Sequence, residues 1–270
     1  MPIFFIISLI LFTIIFHPVF LQLYKLYLSN PDNSHGILIP FVFLYLIWTK
    51  KNELKHIHFE TSFIGLIIII LGLFLYFLGF KGHIAFVENF SLIITFIGLL
   101  WYHMGTKFIK KIIFPLFILF FMIPIPLSLT EFFSFPLKLL TTEISETILK
   151  FFSIPVFREG NLLYFPNGPI EVAKACSGLR SLVSFILLSL IFAYLSKNKK
   201  ARLIIILIAI PIAIFANIFR VTLTGSLIYF ISPKVVNGFF HQLLGIFTFI
   251  FSFSLMFILY LKLGAQKNEN

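Results

Sequence analysis

An all-helical integral membrane bundle is the fold class this sequence predicts, and three observations predict it. Of 270 residues, 60% are hydrophobic and 19% aromatic, and the 11% that are charged are too few to clothe a soluble globule of this size. The apolar residues collect into about eight runs long enough to be read as transmembrane helices. The basic residues fall in short clusters between those runs. They carry a net charge of +11 without lining one face, so they report orientation and give no support to nucleic-acid binding.

In chain order the runs are Ile3 to Leu23, Ile37 to Trp48, Phe63 to Phe80, Ile84 to Tyr102, Ile112 to Leu129, Leu182 to Leu195, Leu203 to Phe230 and Phe239 to Leu261. The first lacks a charged leader and a small-residue cleavage site, so it is expected to be retained as a helix. The second is short for a span, and the fourth carries Glu88 and Asn89 near its start.

Loop charge sets the expected orientation. The segments Lys50 to His58, His103 to Lys111 and Ser196 to Arg202, with the tail from Lys262, hold most of the lysines. By the positive-inside rule these alternate connections are cytoplasmic, which puts both termini inside. The other connections face outward: Tyr24 to Gly36, Lys81 to His83, Thr130 to Gly178 and Ile231 to Gly238. The expected location is the plasma or inner membrane, with multiple passes.

The long outward connection has a pattern of its own. Glu131 to Phe152 mixes apolar residues with Lys138, Glu143, Glu146 and Lys150 at helical spacing, the signature of an amphipathic helix at the outer face. It is placed to roof the bundle. After it, a Gly-Asn and an Asn-Gly-Pro turn bracket Leu162 to Phe165, which predicts short strands or an extended loop. The sequence has no internal repeat, low-complexity tract or second soluble domain, so residues 1–270 read as one membrane domain. Within it, 131–175 form the outer-face helix and loop, and 176–261 form the helices that carry the chemistry.

That chemistry centres on Ala173 to Leu182, AKACSGLRSL, which contains the only cysteine. Cys176 stands at the entrance to an apolar helix. Free amides, the helix dipole, Lys174 and Arg180 all favour a thiolate there. A lone cysteine acting as a small buried hydrophobe is the structural alternative. Two ionisable residues in the next two spans reach a similar depth. Counted from the basic cytoplasmic edge at about 1.5 Å per residue, Arg220 lies roughly 27 Å up, His241 roughly 31 Å and Cys176 roughly 30 Å.

A thiol, a guanidinium and an imidazole at one depth on three successive helices make a nucleophilic site. Cys176 attacks a carbonyl, His241 moves the proton, and Arg220 stabilises the oxyanion, since guanidinium stays protonated and cannot be the base. For Arg220 the alternative is a snorkelling anchor or an ion pair with Asp32, Glu88 or Glu171. For His241 it is an interfacial hydrogen bond to a neighbouring helix.

Four residues are supporting candidates. Asn217, one turn before Arg220, orients the guanidinium or ties helices together. Arg180 holds the thiolate, binds a substrate carboxylate or anchors at the interface. His35, beside a Ser34 helix cap, lines the same cleft or is simply solvated. Ser177 follows the stronger nucleophile. One cysteine permits no intramolecular disulfide and no CxxC relay. HExxH and GxSxG are both absent, so no metal and no cofactor are expected.

The three late motifs, AxACSGLRSL, NxxRVxxTG and HxxxG, each stand at the outer end of a successive helix. Together they resemble the exosortase and archaeosortase family of membrane cysteine transpeptidases. The upstream SHGILIPFVFLYLIW resembles the opening of the bacterial exosortase core, and the resemblance runs from about Asn33 to Leu261. It implies that Cys176 is the nucleophile and that Arg220 and His241 are essential. It implies as substrates exported proteins with a C-terminal tripartite sorting signal: a short motif, a membrane helix and a basic cluster. The signal is cut through a thioacyl enzyme, and the new C-terminus passes to a membrane lipid or other cell-surface acceptor. Two other classes remain open at this point: an intramembrane cysteine protease that releases a hydrolysed product, and a non-enzymatic transporter or assembly factor for surface polysaccharide.

Overall fold

A computed structural model of the chain describes residues 2–171, 179–231 and 239–264. The chain divides into two compact units, Met1–Pro126 and Leu127–Asn270. Apart from one small sheet, the described residues are helical, as expected of an all-helical polytopic membrane protein. Among the described residues, five stretches are long and apolar enough to cross a membrane: Ile3–Ser29, Phe63–Gly82, Ala85–Met122, Lys199–Phe230 and Leu243–Leu263. Two further apolar helices, Ile39–Thr49 and Ser181–Leu195, are shorter.

In the first unit, α1 spans Pro2–Ser29, α2 Ile39–Thr49, α3 Lys51–Leu54, α4 Phe63–Gly82 and α5 Ala85–Ile118. A single stripe of α1, Phe12, Phe16, Val19, Leu23 and Tyr27, is buried, while Ile3, Phe4, Ile6 and Ile14 lie exposed. A helix apolar on every side and buried on one belongs in lipid.

Helix α4 meets the first part of α5 through its glycines. Gly65, Gly72 and Gly79 are buried at heptad spacing, opposite Tyr102, Thr95 and Glu88 in antiparallel order. A Cβ on Gly72 would stand 2.8 Å from the Thr95 backbone nitrogen, and one on Gly98 of α5 would stand 2.7 Å from the Ile69 nitrogen. Lipid gives helices no hydrophobic incentive to associate. Close backbone approach supplies dispersion contacts instead, and glycine permits it.

The fourth and fifth apolar runs differ from expectation in how they join. Within the expected loop His103 to Lys111 the helical backbone of α5 breaks at Gly105, where φ is 82°, and the chain reverses there. Phe90 and Phe120 would stand roughly 45 Å apart on a straight helix. Their rings are 5.4 Å apart. The Trp101 indole donates to Thr106 Oγ1 across the bend at 2.9 Å, and a Cβ at Gly105 would press on the Glu60 carbonyl oxygen at 2.7 Å. Only glycine suits that conformation and that space. A 3-10 turn over Leu119–Met122 ends the returning leg short of the expected Leu129.

Basic residues gather at the bend. Lys111 pairs with Glu53 at 3.0 Å, Lys107 with Glu60 at 3.4 Å, and Lys50 donates to the Lys111 carbonyl oxygen. Two of the lysine-rich connections read from the sequence thus share one end of this unit. At the other end Tyr27 donates its phenol proton to the Met122 carbonyl at 2.6 Å.

In the second unit, α6 spans Leu127–Phe151, β1 Phe157–Glu159, β2 Leu162–Phe165, β3 Gly168–Glu171, α7 Leu179–Leu195, α8 Lys199–Phe230 and α9 Phe239–Leu259, with a π-helical turn to Gly264. The strands form an antiparallel meander in the order β1-β2-β3. Its hairpins fall where the Gly-Asn and Asn-Gly turns were read, and Gly160 and Gly168 both have positive φ. Asn167 latches the second hairpin to α8 by donating to the Ile228 and Tyr229 carbonyls. Leu149, Ile154, Val156, Leu163, Phe165 and Val221 close a common core between α6, the sheet and α8.

Helices α7 and α8 form a hairpin. Asn198 caps α8 by accepting from the Lys200 and Ala201 amides, and Arg202 donates twice to the Ser196 carbonyl. Phe185 and Phe192 of α7 pack with Ala201, Ile205, Ala209 and Ala213 of α8 and Met256 of α9. Small side chains on α8 let the larger neighbours seat against it.

Two predictions follow from these contacts. Gly72→Ala should destabilise the detergent-solubilised protein by roughly 1–3 kcal/mol in denaturation experiments, because backbone on α5 blocks the added methyl. Ile67→Ala on the exposed side of the same helix should stay within about 0.5 kcal/mol. The second prediction concerns Glu146, which accepts from Lys150 at 2.7 Å and from Arg158 of β1 at 3.1 Å. The Lys150 hydrogen bond holds its carboxyl below the ordinary 4.5; burial opposes the shift and the Arg158 hydrogen bond adds to it. A folded value below the unfolded one contributes stability that is complete above the ordinary value and lost as pH falls through the lowered one. Glu146→Gln should therefore be less stable than wild type near neutrality. The difference should shrink from about pH 5 downward when followed by proteolysis of the α6–β1 segment.

Candidate active site

Of the residues singled out in the sequence, Arg220, Asn217, Arg180 and His241 lie on helices of the second unit, and His35 lies in a 3-10 turn, Pro31–Ile37, of the first. Cys176 and Ser177 lie outside the described residues. For Arg180 and His241 the structure describes the backbone and not the side chain. His35 is half-buried beside Gly36, which packs against the Tyr27 ring.

Arg220 stands ten residues from the Phe230 end of α8, and its guanidinium reaches α9 at Gly245. A Cβ on Gly245 would lie 3.1 Å from an Arg220 terminal nitrogen and 3.3 Å from the guanidinium carbon. Gly245 is one helical turn beyond His241, so the charge rests on the helix that carries the histidine, roughly 6 Å along its axis. Thr224 donates to the Arg220 carbonyl at 2.8 Å.

The α7–α8 hairpin brings the chain leaving Cys176 toward the same level. Leu179, the first residue of α7, and Phe215 are equally far from the tight turn that joins the helices. Antiparallel neighbours of equal rise therefore put the start of α7 within about two turns of Arg220.

Asn217 is almost wholly buried, at 4% exposure, and its amide donates to Thr141 Oγ1 on α6 at 3.0 Å. Ser145 adds a second α6 contact, donating to the Ile218 carbonyl at 3.4 Å. Thr141, Ser145 and Leu149 meet Asn217, Ile218 and Gly225 in the same order, so this half of α6 runs alongside α8 in parallel. Here the amphipathic helix is a wall. Its buried residues are Ser134, Lys138, Thr141, Thr142, Ser145 and Leu149, while Phe132, Phe133, Phe135 and Leu140 face out.

Two features escaped the sequence reading. Gly245 was visible as the last position of HxxxG, but nothing in a single chain says that a glycine four residues after His241 seats an arginine from another helix. Lys138 was counted among the charges that make α6 amphipathic, and the fold buries most of it. Among the described residues no group of three His, Cys, Asp or Glu is placed to hold a metal.

Searches against curated proteins and against solved structures return no match. A family model described as transmembrane exosortase does match, over residues 27–258. That range takes in the helices of both units from the end of α1 to the end of α9, together with Cys176, Arg220 and His241, and by it the chain belongs to the transmembrane exosortase family, whose general role is membrane transpeptidation.

Proposed function

We propose that this protein is a membrane cysteine transpeptidase that cuts the C-terminal sorting signal of exported proteins and transfers them to a cell-surface acceptor, with Cys176, Arg220 and His241 as its catalytic groups. The observation that carries the reading is the seat of Arg220: a guanidinium inside an apolar helix bundle, held against Gly245 one turn from His241. An ionisable group within a membrane segment is costly unless it serves a purpose.

The chemistry follows from the groups. The Cys176 sulfur attacks the carbonyl carbon of the scissile peptide, and the carbonyl oxygen gains negative charge that Arg220 stabilises. Collapse forms the C–S bond and breaks the C–N bond, and His241 delivers a proton to the departing amine. An acceptor nucleophile then attacks the thioester, gives its proton to His241 and expels the thiolate. Asn217 and Thr141 hold α8 and α6 together beneath this point, which keeps Arg220 at a fixed height. The lysine-rich connections support an orientation with both termini inside, eight passes and the site at the outer face.

Co-expression of an exported protein bearing the tripartite tail tests the reading. Wild type should remove the tail and Cys176→Ala should not, by gel shift and mass spectrometry; equal processing by both would overturn it. The mass of the new C-terminus distinguishes transfer from release by water. Arg220→Lys should lower kcat about 10²–10³-fold, as loss of an oxyanion donor does. Gly245→Val should reproduce part of that loss by displacing the guanidinium, with kcat affected more than KM.

A further inference from the structure

Helix α1 carries two polar side chains on the side that it does not bury. His17 stands near the middle of the apolar stretch Ile3–Ser29 and is exposed, as is Thr13 one turn before it. The stripe that α1 buries lies roughly a third of a turn away round the helix. Thr13 donates its hydroxyl proton to the Leu9 carbonyl at 2.9 Å, and no hydrogen bond to the His17 ring is seen among the described residues.

An imidazole that meets only lipid leaves a donor and an acceptor without partners, so ionisable groups of membrane helices turn toward protein or water. Helix α4 shows the ordinary pattern, since every exposed residue from Phe63 to Phe80 is apolar. Pro18 adds a second polar group at the depth of His17. It has no amide hydrogen, so the Ile14 carbonyl loses the donor that an α-helix supplies, and Ile14 is itself an exposed neighbour of His17 on the helix surface.

The spacing says what covers this face. Ile6, Ile10, Thr13, His17, Phe20 and Tyr24 are all exposed and follow one another at alternating intervals of four and three residues. That is the repeat by which one helix packs along another in a left-handed pair. Two copies of this chain in one membrane share an orientation, so a twofold axis normal to the bilayer sets α1 against α1 in parallel, and each seam position meets itself. A neutral imidazole is its own complement, with one nitrogen that donates and one that accepts. A polar side chain at one position of such a seam fixes the register, because a single alignment pairs it.

We propose that the protein forms a homodimer in the membrane, joined along this face of α1, with the two His17 side chains hydrogen-bonded to each other. One ring N–H reaches the bare nitrogen of the other ring, and the second N–H reaches a freed Ile14 carbonyl. The inference involves the first unit alone and stands apart from the transpeptidase reading.

Purified protein in phosphatidylcholine vesicles, with no other protein present, tests it. In a Cys176→Ala background, single cysteines are placed on the seam by Ile10→Cys, Thr13→Cys, Phe20→Cys and Tyr24→Cys, and off it by Leu11→Cys and Ile15→Cys. Oxidation should link two copies about fivefold or more faster at the seam positions, where the same residue of each copy lies within disulfide reach. The dimer dissociation constant, from energy transfer between labelled copies on dilution with lipid, should rise about three- to tenfold in His17→Leu. His17→Asn should stay within about twofold of wild type, since its amide also donates and accepts. Leucine suits a membrane helix at least as well as histidine, so a loss in His17→Leu reports the contact and not the fold. A monomer at every dilution, equal linking on and off the seam, a constant unchanged by His17→Leu, or an equal loss in His17→Asn would overturn the proposal. A monomer that links to the tail-bearing substrate at the seam positions would assign this face to the substrate's membrane helix instead.

Discussion

The hydrogen bond from Asn217 to Thr141 is the contact on which the second unit most depends. An amide inside a membrane helix must find a partner within the protein, because lipid offers none. Asn217 finds it on α6, and the pairing drags a whole polar face with it: Thr141, Ser145, Thr142 and Lys138 turn inward, and the phenylalanines turn out. One buried amide thereby decides which side of an amphipathic helix meets the protein. It also decides the height at which Arg220 leaves α8.

The first unit joins its long helices chiefly through glycine. Its α4–α5 pair approaches closely enough for backbone to touch backbone, and the glycines at heptad spacing are what permit it. The contrast between the units is chemical. Glycine contacts hold helices by dispersion, while hydroxyls and an amide join α6 to α8 through hydrogen bonds.

The seat of Arg220 shows how a small residue shapes a charged site. A guanidinium is planar and weakly hydrated, and it lies comfortably against exposed helix backbone where a side chain has been removed. Gly245 provides that surface on α9. The arginine belongs to α8 by sequence and to the histidine's helix by contact, which explains why NxxR and HxxxG read as one constellation.

Much of this was legible in the sequence. Apolar runs bounded by lysines marked the helices, and the Gly-Asn and Asn-Gly turns marked the small sheet, because length, hydropathy and turn chemistry are local properties. Cys176, Arg220 and His241 stood out because a charge or a thiol among apolar residues is conspicuous in one dimension. Tertiary structure alone decided the reversal at Gly105, where the Glu60 carbonyl leaves no room for a side chain, and the burial of Lys138. It alone decided that Gly245 bears on Arg220. A sequence states what each residue is, and these three facts depend on what stands opposite, which only packing determines.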